Sequence, residues 1–169
     1  MRLFVAVWPP ADVVAELAGL DRPERPGVRW TTPDQWHVTL RFLGSMEDAD
    51  QGERALARVC PVARPDEPVA VAGPTVVRLG PSILCIPVAG LEELAAAVLA
   101  TTAGLGEAPP DRPFRGHVTL ARARRGVDVR GLAGQSFSAE WPVREVTLVA
   151  SETRPSGARY RVVAGYAIT

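Results

Sequence analysis

Two periods of hydrophobic and polar positions alternate along this chain. Residues 3–8 form an unbroken apolar run, Leu-Phe-Val-Ala-Val-Trp, ended by Pro9-Pro10. A run so short, rich in β-branched and aromatic residues and stopped by prolines, predicts a buried strand. The two prolines open a helix, where a missing backbone N–H costs little, and Val13, Val14, Leu17 and Leu20 supply its apolar face. After a proline-rich loop over 21–27, strands are predicted at 28–31 and 36–43, split by the turn signal Pro33-Asp34. A helix over 47–59 buries Ala55, Leu56 and Val59 and stops at Pro61. Three short strands follow at 69–72, 75–79 and 83–88, separated by Gly73-Pro74 and Gly80-Pro81-Ser82. The Ala- and Leu-rich stretch 91–105 predicts a helix, and 106–115 a proline-laden loop. Strands at 116–123, 136–141, 143–151 and 159–168 complete the pattern.

Strands and helices thus alternate in two broadly similar halves with no linker between them. That order predicts one α+β domain over residues 1–169, built as two lobes with antiparallel-rich sheets and helices outside. A hydrophobic fraction of 47% and a charged fraction of 22% are ordinary for a globular chain with a sizeable core.

Charge narrows the range of partners. With 19 basic and 19 acidic residues the formal net charge is zero. Proteins that grip long duplexes by their phosphates carry a clear positive excess, so a nucleic-acid contact here should be local, such as a strand end. Every basic residue is arginine. That excludes a Schiff-base lysine and leaves Arg, His or backbone N–H for any phosphate clamp. Cys60 and Cys85 have no close spacing and predict small buried hydrophobes in a reducing compartment rather than a disulfide framework. The opening apolar run is too short for a secretory signal or a membrane span, so the expected location is cytoplasmic.

The chemistry lies in the only two histidines. Both open the same tetrapeptide, His37-Val38-Thr39-Leu40 and His117-Val118-Thr119-Leu120, and each copy follows a turn-rich approach. In a strand, residues i and i+2 share a face, so each histidine projects with its threonine while Val and Leu face the core. If the halves pack about an approximate two-fold axis, two imidazoles and two hydroxyls converge on one cleft. Near neutrality one imidazole can be charged and the other neutral. Such a pair suits in-line displacement at phosphorus, one ring taking a proton from water and the other giving one to the departing oxygen. The Thr39 and Thr119 hydroxyls can hold the non-bridging oxygens. Two histidines without clustered Cys or spaced carboxylates fall short of a metal ligand set, and no Walker-type glycine loop is present for ATP-driven chemistry. No metal or cofactor is expected.

The paired His-x-Thr-x motifs resemble those of the 2H phosphoesterase superfamily. The flanks are similar to its RNA 2′,3′-cyclic phosphodiesterase branch, also called 2′-5′ RNA ligase-like. They include Arg2-Leu3-Phe4-Val5-Ala6, Trp36 through Gly44, Arg112-Pro113-Phe114, His117 through Arg122, Ser151, and Gly157-Ala158-Arg159-Tyr160. The resemblance implies a bilobal, pseudo-two-fold duplicated fold with the site between the lobes. It also implies metal-independent hydrolysis of an RNA 2′,3′-cyclic phosphate to a 2′-phosphomonoester; the expected partner is an RNA with such an end, or a small cyclic nucleotide, and the expected state is a monomer. It implies His37 as proton donor and His117 as proton acceptor, although the residues alone do not fix which is which. Arg122 matches the family's arginine five residues after the second histidine, an implied phosphate ligand. Simple alternation would place it on the face opposite His117, so a bulge or the strand's end must re-aim it. Arg112, Arg115, Arg124, Arg125 and Arg130 are candidates for a basic rim, and Trp36, Phe42 or Phe114 for stacking a base. Alternatives are another cyclic or 2′-5′ linked nucleotide, with reversible 2′-5′ ligation by the same pair run backwards, or a non-catalytic module that binds RNA ends.

Overall fold

The computed structural model describes residues 1–58 and 66–168. Strand β1 (Arg2–Val7) is apolar after its first residue because both of its faces are covered. Leu3, Val5 and Val7 join the main core, while Phe4 and Ala6 form a second, small cluster with Val149 on the other face. Helix α1 (Ala11–Ala18) begins after Pro10 and turns Val13 and Leu17 inward.

Next come β2 (Val28–Trp30), a 3-10 turn over Pro33–Gln35 and β3 (Val38–Ser45). The expected strand at 36–43 therefore starts two residues late. The capping box between Thr32 and Gln35 tightens Pro33-Asp34-Gln35 into a helical turn. Helix α2 (Ala49–Leu56) is capped by the Asp48 carboxylate, which accepts from the Asp50 N–H at 2.8 Å. Val59, Cys60 and Pro61, named above, lie outside the described residues.

Strands β4 (Val69–Ala72), β5 (Val77–Leu79) and β6 (Ile83–Ala89) lead to helix α3 (Glu92–Thr101). The stretch 106–115 contains no helix or strand, as expected. The chain then runs through β7 (His117–Ala123), β8 (Ala139–Pro142), β9 (Glu145–Arg154) and β10 (Gly157–Ala167).

The strands follow one continuous path, β10-β9-β1-β3-β7-β6-β4-β8, with β2 added beside β7 and β5 beside β6. Every pairing is antiparallel. Two lobes are present, yet they are not the first and second halves of the sequence. The C-terminal hairpin β9–β10 completes the lobe that β1 and β3 begin, because β1 accepts β9 on its free edge. The sheets expected to be separate meet at one residue pair, Val38 opposite Val118. Each of these residues follows its histidine directly.

The two lobes repeat a strand–helix–strand unit, β1-α1-β3 and β6-α3-β7. The repeat extends to an irregularity. On β3 the register skips Leu40, with Ala6 opposite Thr39 and Val5 opposite Arg41. On β7 it skips Leu120, with Cys85 opposite Thr119 and Leu84 opposite Ala121. The same bulge thus follows the same threonine in both lobes, and it flips the alternation beyond that point.

Candidate active site

Both histidines are fixed in the same way. The Nδ1 of His37 lies 2.7 Å from the Gln35 carbonyl, and the Nδ1 of His117 lies 2.7 Å from the Arg115 carbonyl. A carbonyl only accepts, so each Nδ1 carries the hydrogen and each Nε2 is the nitrogen left to exchange protons. Thr39 Oγ1 stands 3.1 Å from the Nε2 of His37. The hydroxyl of Thr119, half-buried on the same face as His117, has no partner among the described residues.

The approach to the first motif is tied to the strand of the second. The Thr31 N–H donates to the Leu120 carbonyl at 2.8 Å. The Thr31 hydroxyl reaches the Thr119 and Leu120 carbonyls at 2.8 and 2.9 Å and accepts from Trp36 Nε1 at 2.9 Å. Gln35 Nε2 donates to the Ala158 carbonyl on β10 at 2.6 Å. Three strands and a turn therefore hold the His37 ring before any ligand arrives.

The surroundings of the two rings differ. His37 is packed by Phe4, Trp8 and Tyr160, with ring centroids 4.9, 5.2 and 5.0 Å away. Burial in that cage lowers its pKa from 6.5 to about 4. The bond to Gln35 opposes the shift, and the nearby charges of His117 and Arg122 add to it. Burial also raises the Tyr160 hydroxyl, against the pull of Arg122 and Arg29. His117 instead opens onto a cavity of about 470 Å³ whose wall includes Thr39, Phe42, Phe114, Arg112 and Arg115.

The β7 bulge answers the question posed by alternation. Leu120 and Ala121 are consecutive buried residues, and Arg122 emerges exposed on the side of His117 and Thr119. Its counterpart after the β3 bulge is Phe42, which is 37% exposed. Other candidates fall elsewhere. Trp36 is fully buried core and cannot stack a ligand. Arg130 is engaged by Asp128 at 2.9 Å. Trp8, Thr31 and Gln35 carry no sequence signal as neighbours of the histidines, and Tyr160 enters the sequence reading only as the end of the Gly157-Ala158-Arg159-Tyr160 flank. Only the Thr32-x-x-Gln35 spacing, a capping-box signal, points to that turn.

No group of three His, Cys, Asp or Glu side chains among the described residues could hold a metal ion. No helix among them is long and apolar enough to cross a membrane. Cys85 is buried with its thiol pKa raised to about 11, unfit for nucleophilic work at neutral pH.

Antiparallel strands meeting at two His-x-Thr-x starts, with the rings fixed alike, define a 2H phosphoesterase fold. The chain belongs to the LigT-like phosphoesterase family: that family's model matches residues 7–79, and a full-length relative supports it. The relative is the RNA 2′,3′-cyclic phosphodiesterase of Thermus thermophilus, 30% identical over an alignment covering 99% of this chain and 90% of the relative. A crystal structure of a Thermus thermophilus protein is 32% identical with a TM-score of 0.78, covering 99% and 98% of the two chains. A crystal structure of E. coli LigT complexed with 3′-AMP is 28% identical with a TM-score of 0.72, at the same coverage of 99% and 98%.

Proposed function

We propose that the protein is a cytoplasmic, monomeric enzyme that hydrolyses RNA 2′,3′-cyclic phosphate ends to 2′-phosphomonoesters, with His37 and His117 as its acid/base pair and no metal. The observation that carries this is the duplicated fixing of the rings, each Nδ1 bonded to the carbonyl two residues earlier. The named activity of the Thermus thermophilus relative supports the substrate. The nucleotide in the E. coli LigT crystal fits a ligand of that size.

In this mechanism the Nε2 of His117 takes a proton from water as its oxygen bonds to phosphorus. The bond from phosphorus to the 3′ oxygen breaks in line, and the Nε2 of His37 gives that oxygen its proton. Thr39, Thr119 and Arg122 hold the non-bridging oxygens. The cage around His37 makes its imidazolium a strong acid, which favours donation but leaves little of it charged in the free protein. An anionic phosphate beside the ring favours the charged imidazolium and raises its pKa against the effect of burial. The base enters the cavity beside His117, whose wall includes Phe42 and Phe114, with Arg2 lying over one face of the Phe42 ring.

The test is a short RNA ending in a 2′,3′-cyclic phosphate, incubated in EDTA, with 2′- and 3′-phosphate products separated. A 2′-phosphate formed by the wild type and lost in both His37→Ala and His117→Ala supports the reading. Activity that fails in EDTA and returns with a particular metal overturns it.

A further inference from the structure

Arg29 lies outside the motifs, yet the register of β2 places it directly opposite Arg122 on β7. Residues opposite each other in an antiparallel pair share a face, so both guanidinium groups belong to the cleft side. Like charges so placed destabilise a sheet unless something between them is anionic. Among the described residues neither arginine forms an ion pair with a carboxylate.

Arg29 also reaches across the cleft. Its guanidinium lies against Gly157, at the start of β10, where a Cβ would come within 3.2 Å of Nη1. Gly157 has φ +121°, a conformation closed to ordinary side chains, so the backbone leaves this space to the arginine. The charge of Arg122 reaches both His37 and Tyr160, whereas that of Arg29 reaches Tyr160.

Ribose geometry assigns this second cation a ligand. In a 2′,3′-cyclic phosphate the base leaves the ring at C1′ and the 5′ arm at C4′, in diverging directions from the edge that carries phosphorus. With the base in the cavity beside His117, the 5′ arm points toward the other end of the cleft. That end carries Arg122, Tyr160 and Arg29. The depression beyond Trp8 carries Asp34 and Glu145 and does not suit an anion. We infer that Arg29 binds the phosphate on the 5′ side of the terminal ribose, so that the site selects a cyclic end bearing a second phosphate over a bare nucleoside cyclic phosphate. This rests on the proposed hydrolysis and adds a specificity-determining residue to it.

The experiment compares kcat/KM for adenosine 2′,3′-cyclic phosphate with that for the same compound carrying a 5′-phosphate, in wild type, Arg29→Gln and Arg29→Ala. A charge-assisted bond of this kind changes affinity by about 10- to 100-fold. The wild type should therefore prefer the 5′-phosphorylated substrate by that factor, and both variants should bring the ratio close to one with adenosine 2′,3′-cyclic phosphate turnover unchanged. A parallel loss on both substrates would place Arg29 on the scissile phosphate and overturn the inference, and so would an unchanged ratio. Calorimetric binding of adenosine 2′-phosphate and adenosine 2′,5′-bisphosphate to the same proteins needs no turnover. Tighter binding of the bisphosphate, lost in the variants, would sustain the Arg29 subsite even if neither cyclic compound were hydrolysed; equal binding of the two would overturn it.

Discussion

The two motif strands share a backbone and differ in what lies across from them. The register fixes the correspondence: Phe4 opposes Phe42 as Ile83 opposes Arg122, and Ala6 opposes Thr39 as Cys85 opposes Thr119. Two residues beyond Ala6 stands Trp8, and two beyond Cys85 stands Pro87. On the first lobe that face presents Phe4 and Trp8 to His37, and β10 adds Tyr160. On the second lobe the equivalent positions hold Ile83 and Pro87, and no aromatic ring packs on His117 among the described residues. A duplicated motif has thus been given two different solvents. The backbone repeat supplies two identical imidazoles, and burial in the aromatic cage lowers the proton affinity of His37.

The comparison breaks most sharply at the rings themselves. His37→Ala and His117→Ala should each lower kcat by ~10²–10⁴-fold without unfolding the protein. Roles separate with a nitrophenyl phosphodiester, whose leaving oxygen needs no proton. On that substrate His37→Ala should recover much of its loss and His117→Ala little. Equal recovery would mean that the donor and acceptor assignment is wrong.

The difference in burial should also show in stability. The unfolded chain binds a proton at His37 near pH 6.5, the folded chain only near pH 4. Between those values the unfolded state holds more protons, so stability is full above 6.5 and declines as pH falls toward 4. The gap corresponds to about 3 kcal/mol. Urea denaturation across this window should show that slope in the wild type and a flatter one in His37→Asn. A parallel slope in the variant would place the acid sensitivity elsewhere.

Opening the cage gives a subtler readout. Tyr160→Ala admits water to one side of His37, so its pKa should rise from about 4 toward 6.5. Ring-proton NMR reads this directly, because the chain has only two histidines and His117→Ala assigns the remaining signal. A His37 signal that still titrates near 4 would mean that Phe4 and Trp8 suffice to exclude solvent.

What was legible in the sequence was local. The His-x-Thr-x repeat, the strand periods around it and the proline stops are short-range signals, and they located the elements within a few residues. The need to re-aim Arg122 was also legible, because alternation counted from His117 put it on the wrong face. The bulge itself was not, since nothing distinguishes Leu120 from Leu40 or from any other apolar strand residue until the partner strand is known. The cage was hidden for a related reason. Trp8 and Tyr160 reach His37 only because β1 and β10 flank the same lobe, which brings opposite ends of the chain together. Phe42 and Arg122 could be matched as counterparts only once both bulges were seen.

The smallest effect tests how firmly one lobe holds the other. Thr31 precedes the first motif, yet its hydroxyl is satisfied by the carbonyls of Thr119 and Leu120, at the bulge of the second. Thr31→Val keeps the shape and removes that bond along with the acceptor for Trp36 Nε1. Trp36 is fully buried, so its N–H would be left without a partner, at a cost of about 1–3 kcal/mol. If the hydroxyl only supports the core, melting temperature should fall while kcat at a permissive temperature stays put. If it also sets the distance between the two Nε2 atoms, kcat should fall as well, because in-line transfer depends on that spacing. The direct Val38–Val118 pair and the Thr31 N–H bond to Leu120 both survive the substitution, so the expected result is a loss of stability with less than about a tenfold change in kcat. A larger drop would show that the lobes are held in register mainly through this one side chain, and that the pair of motifs is less independent than their shared backbone suggests.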